Sequence, residues 1–263
     1  MNKRIWGVGG LFFIFFFGFW ILERGYFLVA DDTVVEPTAD TEPVALELAP
    51  LPEPVPEEPQ PKKEAPKVKR DPSSIPFIVQ APNGEWDNPL FENACEEASL
   101  LMVASFLRGT TKISQEESRQ ELLALAVYQK KQFGHSIDTS VFDTNEMLRE
   151  YFGIAGRVME MRSEQDMRKL IGEGALLIVP ADGQKLGNPF FTPPGPINHM
   201  LVVLTYDDQA GEYITHDPGT KRGALYRYKT SILWGAIRDY PTGAEHLPNT
   251  KKEKRLIAIP LEE

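Results

Sequence analysis

From residue 94 onward, hydrophobic positions recur first with the period of a helix and then with the short runs of a sheet. In ACEEASLLMVASFLRG, Ala94, Ala98, Leu101 and Ser105 fall on one face, and the run stops at Gly109; the small side chains predict a closely packed helix. Similar runs predict helices over about 115–132, 144–152 and 164–171. Four segments open on a small polar residue with an acid three positions later: Asn93 with Glu96, Ser114 with Glu117, Asp143 with Glu146, and Ser163 with Asp166. Such pairs satisfy the unpaired amides of a first helical turn. Past Gly172 the chain shifts to β-branched and aliphatic runs bounded by Gly, Pro and Asp, predicting strands at Ala175–Pro180, His199–Tyr206, Tyr213–His216, Ala224–Tyr228 and Arg255–Ile259. A further short strand is expected at Arg157–Met161. Hairpin-length connections such as Asp207–Gly211 join antiparallel neighbours. The pattern therefore predicts an α+β domain, with an N-terminal helical cluster packed on a C-terminal antiparallel sheet.

The first 70 residues follow neither pattern. Lys3 and Arg4 precede the uncharged run Ile5–Leu22, which ends at Glu23 and Arg24. Its length meets the roughly 18 apolar residues of a membrane-spanning helix, and the basic end should stay cytoplasmic. Residues 1–30 read as one transmembrane anchor with the rest of the chain on the far side; a signal peptide cut after Leu28-Val29-Ala30 is the competing reading. Residues 31–70 are rich in proline and glutamate and nearly devoid of aromatics, as expected of a disordered linker. At ~3 Å per residue it spans on the order of 100 Å. Residues 71–263 then form one domain. The net charge of −10, much of it in the linker, argues against nucleic acid as a partner.

Within the domain one residue invites chemistry. Cys95 is the only cysteine, and it sits on the first turn of the predicted 94–109 helix. Unpaired amides at a helix start lower a thiol pKa, whereas Glu96 and Glu97 directly behind it oppose a second anion. An imidazole partner is needed. His135 and His246 lie in polar loops. His199 stands between the loop NPFFTPPGPIN and the apolar strand MLVVLTY, and if Asp207–Gly211 makes the turn, Asp217 arrives within two residues of opposition to it. A carboxylate there orients the ring, unless a slip of one residue sends Asp217 to the other face. Asp217-Pro218-Gly219 is equally good turn chemistry, and an inert buried cysteine is the plain alternative for Cys95. Gln80, after the apolar run PFIV, offers a side-chain amide for an oxyanion. Trp86, Phe190 and Phe191 are candidate apolar substrate contacts, the two phenylalanines on a lid-like loop, Gly183–Asn198.

Gln80, Trp86-Asp87-Asn88-Pro89, NACEEASLLM around Cys95, His199 before its apolar strand, and Asp217 in HDPG together resemble the peptidase-like domains related to bacteriocin-processing (double-glycine) cysteine peptidases. The similarity runs from Ser74 to about Tyr240. It implies a papain-like fold, a catalytic Cys95, a base His199, an orienting Asp217, an oxyanion donor Gln80, a peptide or protein substrate, and no metal or other cofactor. Members of that family usually act on the cytoplasmic side, fused to a transporter, whereas this chain is expected to point outward, so their substrate does not carry over. Three readings follow: a membrane-anchored thiol peptidase; a transpeptidase or amidotransferase resolving the same thioester with an amine; and a binding module that has lost turnover. Oligomeric state is not legible.

Overall fold

A computed structural model describes residues 71–243 and 253–261. The predicted anchor (1–30), the linker (31–70) and His246 lie outside the described residues. Among the described residues no helix is long and apolar enough to cross a membrane.

Chain order is α1 (Pro89–Glu92), α2 (Cys95–Leu107), α3 (Gln115–Phe133), α4 (Val141–Phe152), β1 (Arg157–Glu160), α5 (Glu164–Gly172), β2 (Leu176–Ala181), α6 (Gly183–Leu186), β3 (His199–Asp207), β4 (Glu212–His216), β5 (Tyr226–Lys229), α7 (Thr230–Ala236) and β6 (Arg255–Ile259). The expected capping pair forms at α3, where Ser114 Oγ accepts from Glu117 N and the Glu117 carboxylate accepts from Ser114 N. For α5, Asp166 likewise reaches back to Ser163 N. Two starts differ. Asn93 closes α1 and donates its amide to Pro89 O, which leaves Ala94 at the head of α2 without a side-chain cap. In α4 the cap is Ser140, three residues before Asp143, because Ser140 Oγ accepts from Asp143 N. The short helices α1, α6 and α7 have too few turns for a periodic signal.

Six antiparallel strands make one sheet in the order β1-β6-β2-β3-β4-β5. Helices cover both faces, where the hydrophobic pattern had suggested one. On the first face Ala98, Leu101 and Met102 of α2 and Met147 and Leu148 of α4 pack with Ile178, Met200, Val202 and Ile257. On the second, Met167 and Leu170 of α5 and Leu233 and Ala236 of α7 pack with Leu177, Val179, Leu201 and Val203. The continuous apolar run of β2, buried at every position, is the signature of a strand covered on both sides.

The β3–β4 pairing is interrupted. Asp207 opposes Glu212, Tyr206 opposes Tyr213 and Thr205 opposes Ile214, but Val203 then opposes Thr215, so Leu204 is an extra residue in β3. Strand β5 starts at Tyr226, two residues later than the pattern suggested, because Leu225 has φ +52° and turns its N–H to His216 Nδ1. That bond fixes the tautomer: Nε2 carries the proton and donates to Ile75 O at 2.9 Å. Phe77 packs edge-on against the same ring. His216 thus ties residues 75–77 to the sheet while neutral.

Burial lowers the His216 pKa below its ordinary 6.5, outweighing its backbone bonds. The unfolded chain takes up the proton first, so this contribution to stability is full above about pH 6.5 and is lost as the pH falls toward the lowered folded value. The urea midpoint of the wild type should therefore fall between about pH 7.5 and pH 5.5, and His216→Gln should show a smaller fall over that interval.

Candidate active site

His199 is the first residue of β3, and Asp217 follows the last residue of β4. Val202 opposes His216, so Asp217 stands one step further along, beside Leu201 and diagonal to His199 on the same face. Had the register of the hairpin end continued, Asp217 would oppose Val202 and face the other way. The extra Leu204 prevents that slip.

His199 Nε2 lies 2.8 Å from Asp217 Oδ1, with both side chains buried. Asp217 Oδ1 also accepts from Gly219 N at 3.0 Å, and Oδ2 accepts from Asn188 Nδ2 at 3.1 Å and Tyr228 OH at 2.5 Å. Burial pushes the Asp217 carboxyl up, but the His199 charge, the His199 and Tyr228 hydrogen bonds and the Gly219 amide together bring it below the usual carboxylate range. An ionised carboxylate only accepts, so Nε2 bears a proton, and in the neutral form of the ring Nδ1 keeps a lone pair. The ring is held by Phe191, edge-on at 5.2 Å, and by Gly219, whose missing Cβ would lie 2.8 Å from His199 Cε1. Asn188 sits just past α6, within the predicted lid loop, and Tyr228 is on β5. Neither was signalled by sequence, because their common partner is remote along the chain. Gly219 belongs to the HDPG turn signal, which marks the turn and not the amide that binds Asp217.

Cys95 heads α2 as predicted, but its thiol has a different partner. Sγ donates to Glu96 Oε2 at 3.0 Å, and no hydrogen bond joins it to His199 among the described residues. Glu96 Oε1 accepts from Tyr240 OH at 2.7 Å and from Thr139 N at 3.1 Å. Burial first, then Glu96, Asp138 and Glu97, drive the Cys95 pKa well above that of an ordinary thiol. The opposition expected from the neighbouring acids is therefore present and joined by Asp138, which also binds Asn198 at 2.7 Å. That contact ties the loop before α4 to the residue that precedes β3. Cys95 packs with Met200 and Val202 on the first face, while His199 shares the second face with Leu201 and Val203.

Gln80 bridges the two halves. Its backbone N–H donates to Pro218 O, beside Asp217, and its side-chain Nε2 donates to Phe91 O and Glu92 O, just ahead of Cys95. Both amide hydrogens are thus engaged at the end of α1. The candidate substrate contacts separate: Phe190 is exposed beneath Arg222, Phe191 is buried against His199, and Trp86 packs partly buried against the first core. No cluster of three or more His, Cys, Asp or Glu side chains suited to a metal is found among the described residues.

A sequence profile of the Peptidase_C39 like family matches residues 73–240. No protein of curated function matches the sequence. Among solved structures, a C39-like peptidase from Bacillus anthracis is similar at 16% identity and a TM-score of 0.43, over 73% of this chain and 96% of the other.

Gly219→Ala should force the His199 ring away from Asp217, since a Cβ there also lies 2.9 Å from Phe191 Cε1 and finds no room. In the wild type the His199 Nε2 proton should be protected from exchange and visible by NMR. In the variant that resonance should be lost or broadened while the fold, followed by circular dichroism, persists.

Proposed function

The chain belongs to the Peptidase_C39 like family and is a cysteine peptidase-like enzyme acting on peptide or protein substrates, and from that premise we propose that Cys95, His199 and Asp217 form its catalytic group in a membrane-anchored peptidase facing away from the cytoplasm. One observation carries the assignment: the buried His199–Asp217 couple, whose neutral ring leaves Nδ1 as an acceptor, stands at the start of β3, the strand on which the helix headed by Cys95 packs. In the reaction the Cys95 proton passes to His199 Nδ1 and the thiolate attacks the scissile carbonyl carbon. The imidazolium then returns the proton to the leaving amine, and water, deprotonated by His199, releases the acid from the thioester. Asp217 keeps Nε2 protonated and supports the cationic ring.

The Cys95 N–H, among the first amides of α2 and without an acceptor in the helix, supplies one oxyanion donor. Gln80 supplies a second by turning one N–H from a carbonyl of α1 to the substrate. Phe190 and Phe191 offer apolar contacts on the loop between α6 and β3, and Trp86 offers one beside the first core. The anchor rests on Lys3 and Arg4 ahead of the apolar run Ile5–Leu22, with the proline-rich 31–70 segment as spacer.

A second reading has its own support. The thiol bound to Glu96 and raised in pKa is what a binding module without turnover would show. Peptide-library hydrolysis followed by mass spectrometry separates the two, and addition of an amine reveals any transfer product. Cys95→Ala and His199→Ala should each lower hydrolysis by about 10³-fold or more, and the double variant should fall little further because the two act as one unit. Full activity in Cys95→Ala would remove the proposal. Removal of residues 1–30 should shift the protein from the membrane fraction to the soluble one with hydrolysis unchanged.

A further inference from the structure

The residue behind the cysteine has an arrangement that the catalytic group does not require. Glu96 is fully buried, and each carboxylate oxygen has separate work. Oε1 is held by Tyr240 OH and Thr139 N, one from beyond α7 and one from the loop before α4, while Oε2 accepts the Cys95 thiol at 3.0 Å. The two donors on Oε1 set the orientation of the carboxylate, so Oε2 is aimed at Sγ by residues more than 40 positions away in the chain. This is a built contact, beyond what adjacency of the two residues on one helix turn would produce.

We propose that Glu96 is a latch for Cys95: Oε2 pins the thiol proton and holds Sγ on the α2 side of the sheet, so the nucleophile is stored as a thiol and released only when its side chain turns away. The inference rests on Cys95 being the nucleophile and makes Glu96 a positioning residue. Release breaks the Sγ–H···Oε2 bond, and the same proton then passes from Sγ to His199 Nδ1, whose ring Asp217 holds from the other side. The remaining groups around the sulfur favour the latched state. Glu97 on α2, Asp138 before α4 and the Tyr240 hydroxyl are all acidic or neutral, and the imidazole at the start of β3 is hydrogen-bonded to Asp217. A protonated, buried thiol is also slow toward disulfides and alkylating agents, since the thiolate is the reactive form.

The test is the pH profile of iodoacetamide alkylation on the folded full chain, read by mass. With a single cysteine the added mass has one source. Glu96→Gln is the informative variant. Thr139 N only donates, so the glutamine carbonyl must take the place of Oε1 and its NH₂ must face Sγ, turning an acceptor into a donor that favours thiolate. Alkylation at pH 7 should rise about tenfold or more, which a fall of one pKa unit produces. An unchanged or slower rate in a folded Glu96→Gln chain overturns the latch and would fit Glu96 as a base. If that variant does not fold, the wild type decides: an alkylation midpoint above ~8.5, the value of a free thiol, is expected, and one at or below it overturns the proposal. Neither measurement uses turnover, so a chain that cleaves no peptide leaves the test of the latch intact, and a failed latch leaves the catalytic assignment to its own assay.

Discussion

A single extra residue in a strand brings a histidine and a carboxylate together in this protein. Leu204 shifts β3 against β4 by one position, and the shift puts Asp217 on the same face as His199. Side chains alternate along a strand, so without the bulge the carboxylate would lie among Met200 and Val202 and the imidazole would have no partner. Everything that holds Asp217 is arranged on the face chosen by that shift: Tyr228 from β5, Asn188 from the loop after α6, and the Gly219 amide from its own turn. Four donors on one buried carboxylate keep it ionised where burial alone would protonate it, and an ionised Asp217 is what leaves His199 Nδ1 free to accept.

The sulfur is governed by the opposite electrostatics. Helix α2 is buried along most of its length, including Glu96 and Glu97 of its first turn. Positive charge at a helix start normally favours a thiolate, yet here burial and three carboxylates outweigh it. The thiol and the imidazole are therefore held in contrasting surroundings, an ionised acid behind the imidazole and a protonated thiol bound to an acid of its own. Gln80 links them mechanically, with its backbone on the Asp217 turn and its amide on the residues just ahead of Cys95. Segment 75–80 acts as a brace between sheet and helix, and His216 secures its other end through Ile75.

Read alone, the chain determines a good deal. Helical periodicity located α2 to α5, short aliphatic runs located the strands, Cys95 stood out as the lone cysteine on a first helical turn, His199 as a polar residue where a Gly/Pro-rich loop meets an apolar strand, and Asp217 through the hairpin turn that brings it near His199. Those signals are local, and local propensity writes them into neighbouring residues. Tertiary structure alone decided the rest. The phase of β4 depends on where one residue of β3 is left unpaired, and nothing in VVLTYDD marks Leu204 as that residue. The second helical layer under β2, the donors Asn188 and Tyr228 on Asp217, and the Tyr240–Glu96 bond behind Cys95 join positions from different elements of the chain. Such contacts are set by packing of whole elements, and Asn93 shows the limit of a local rule: its capping signal was sound, but the end of α1 claimed the residue first, leaving the thiol's helix to begin uncapped.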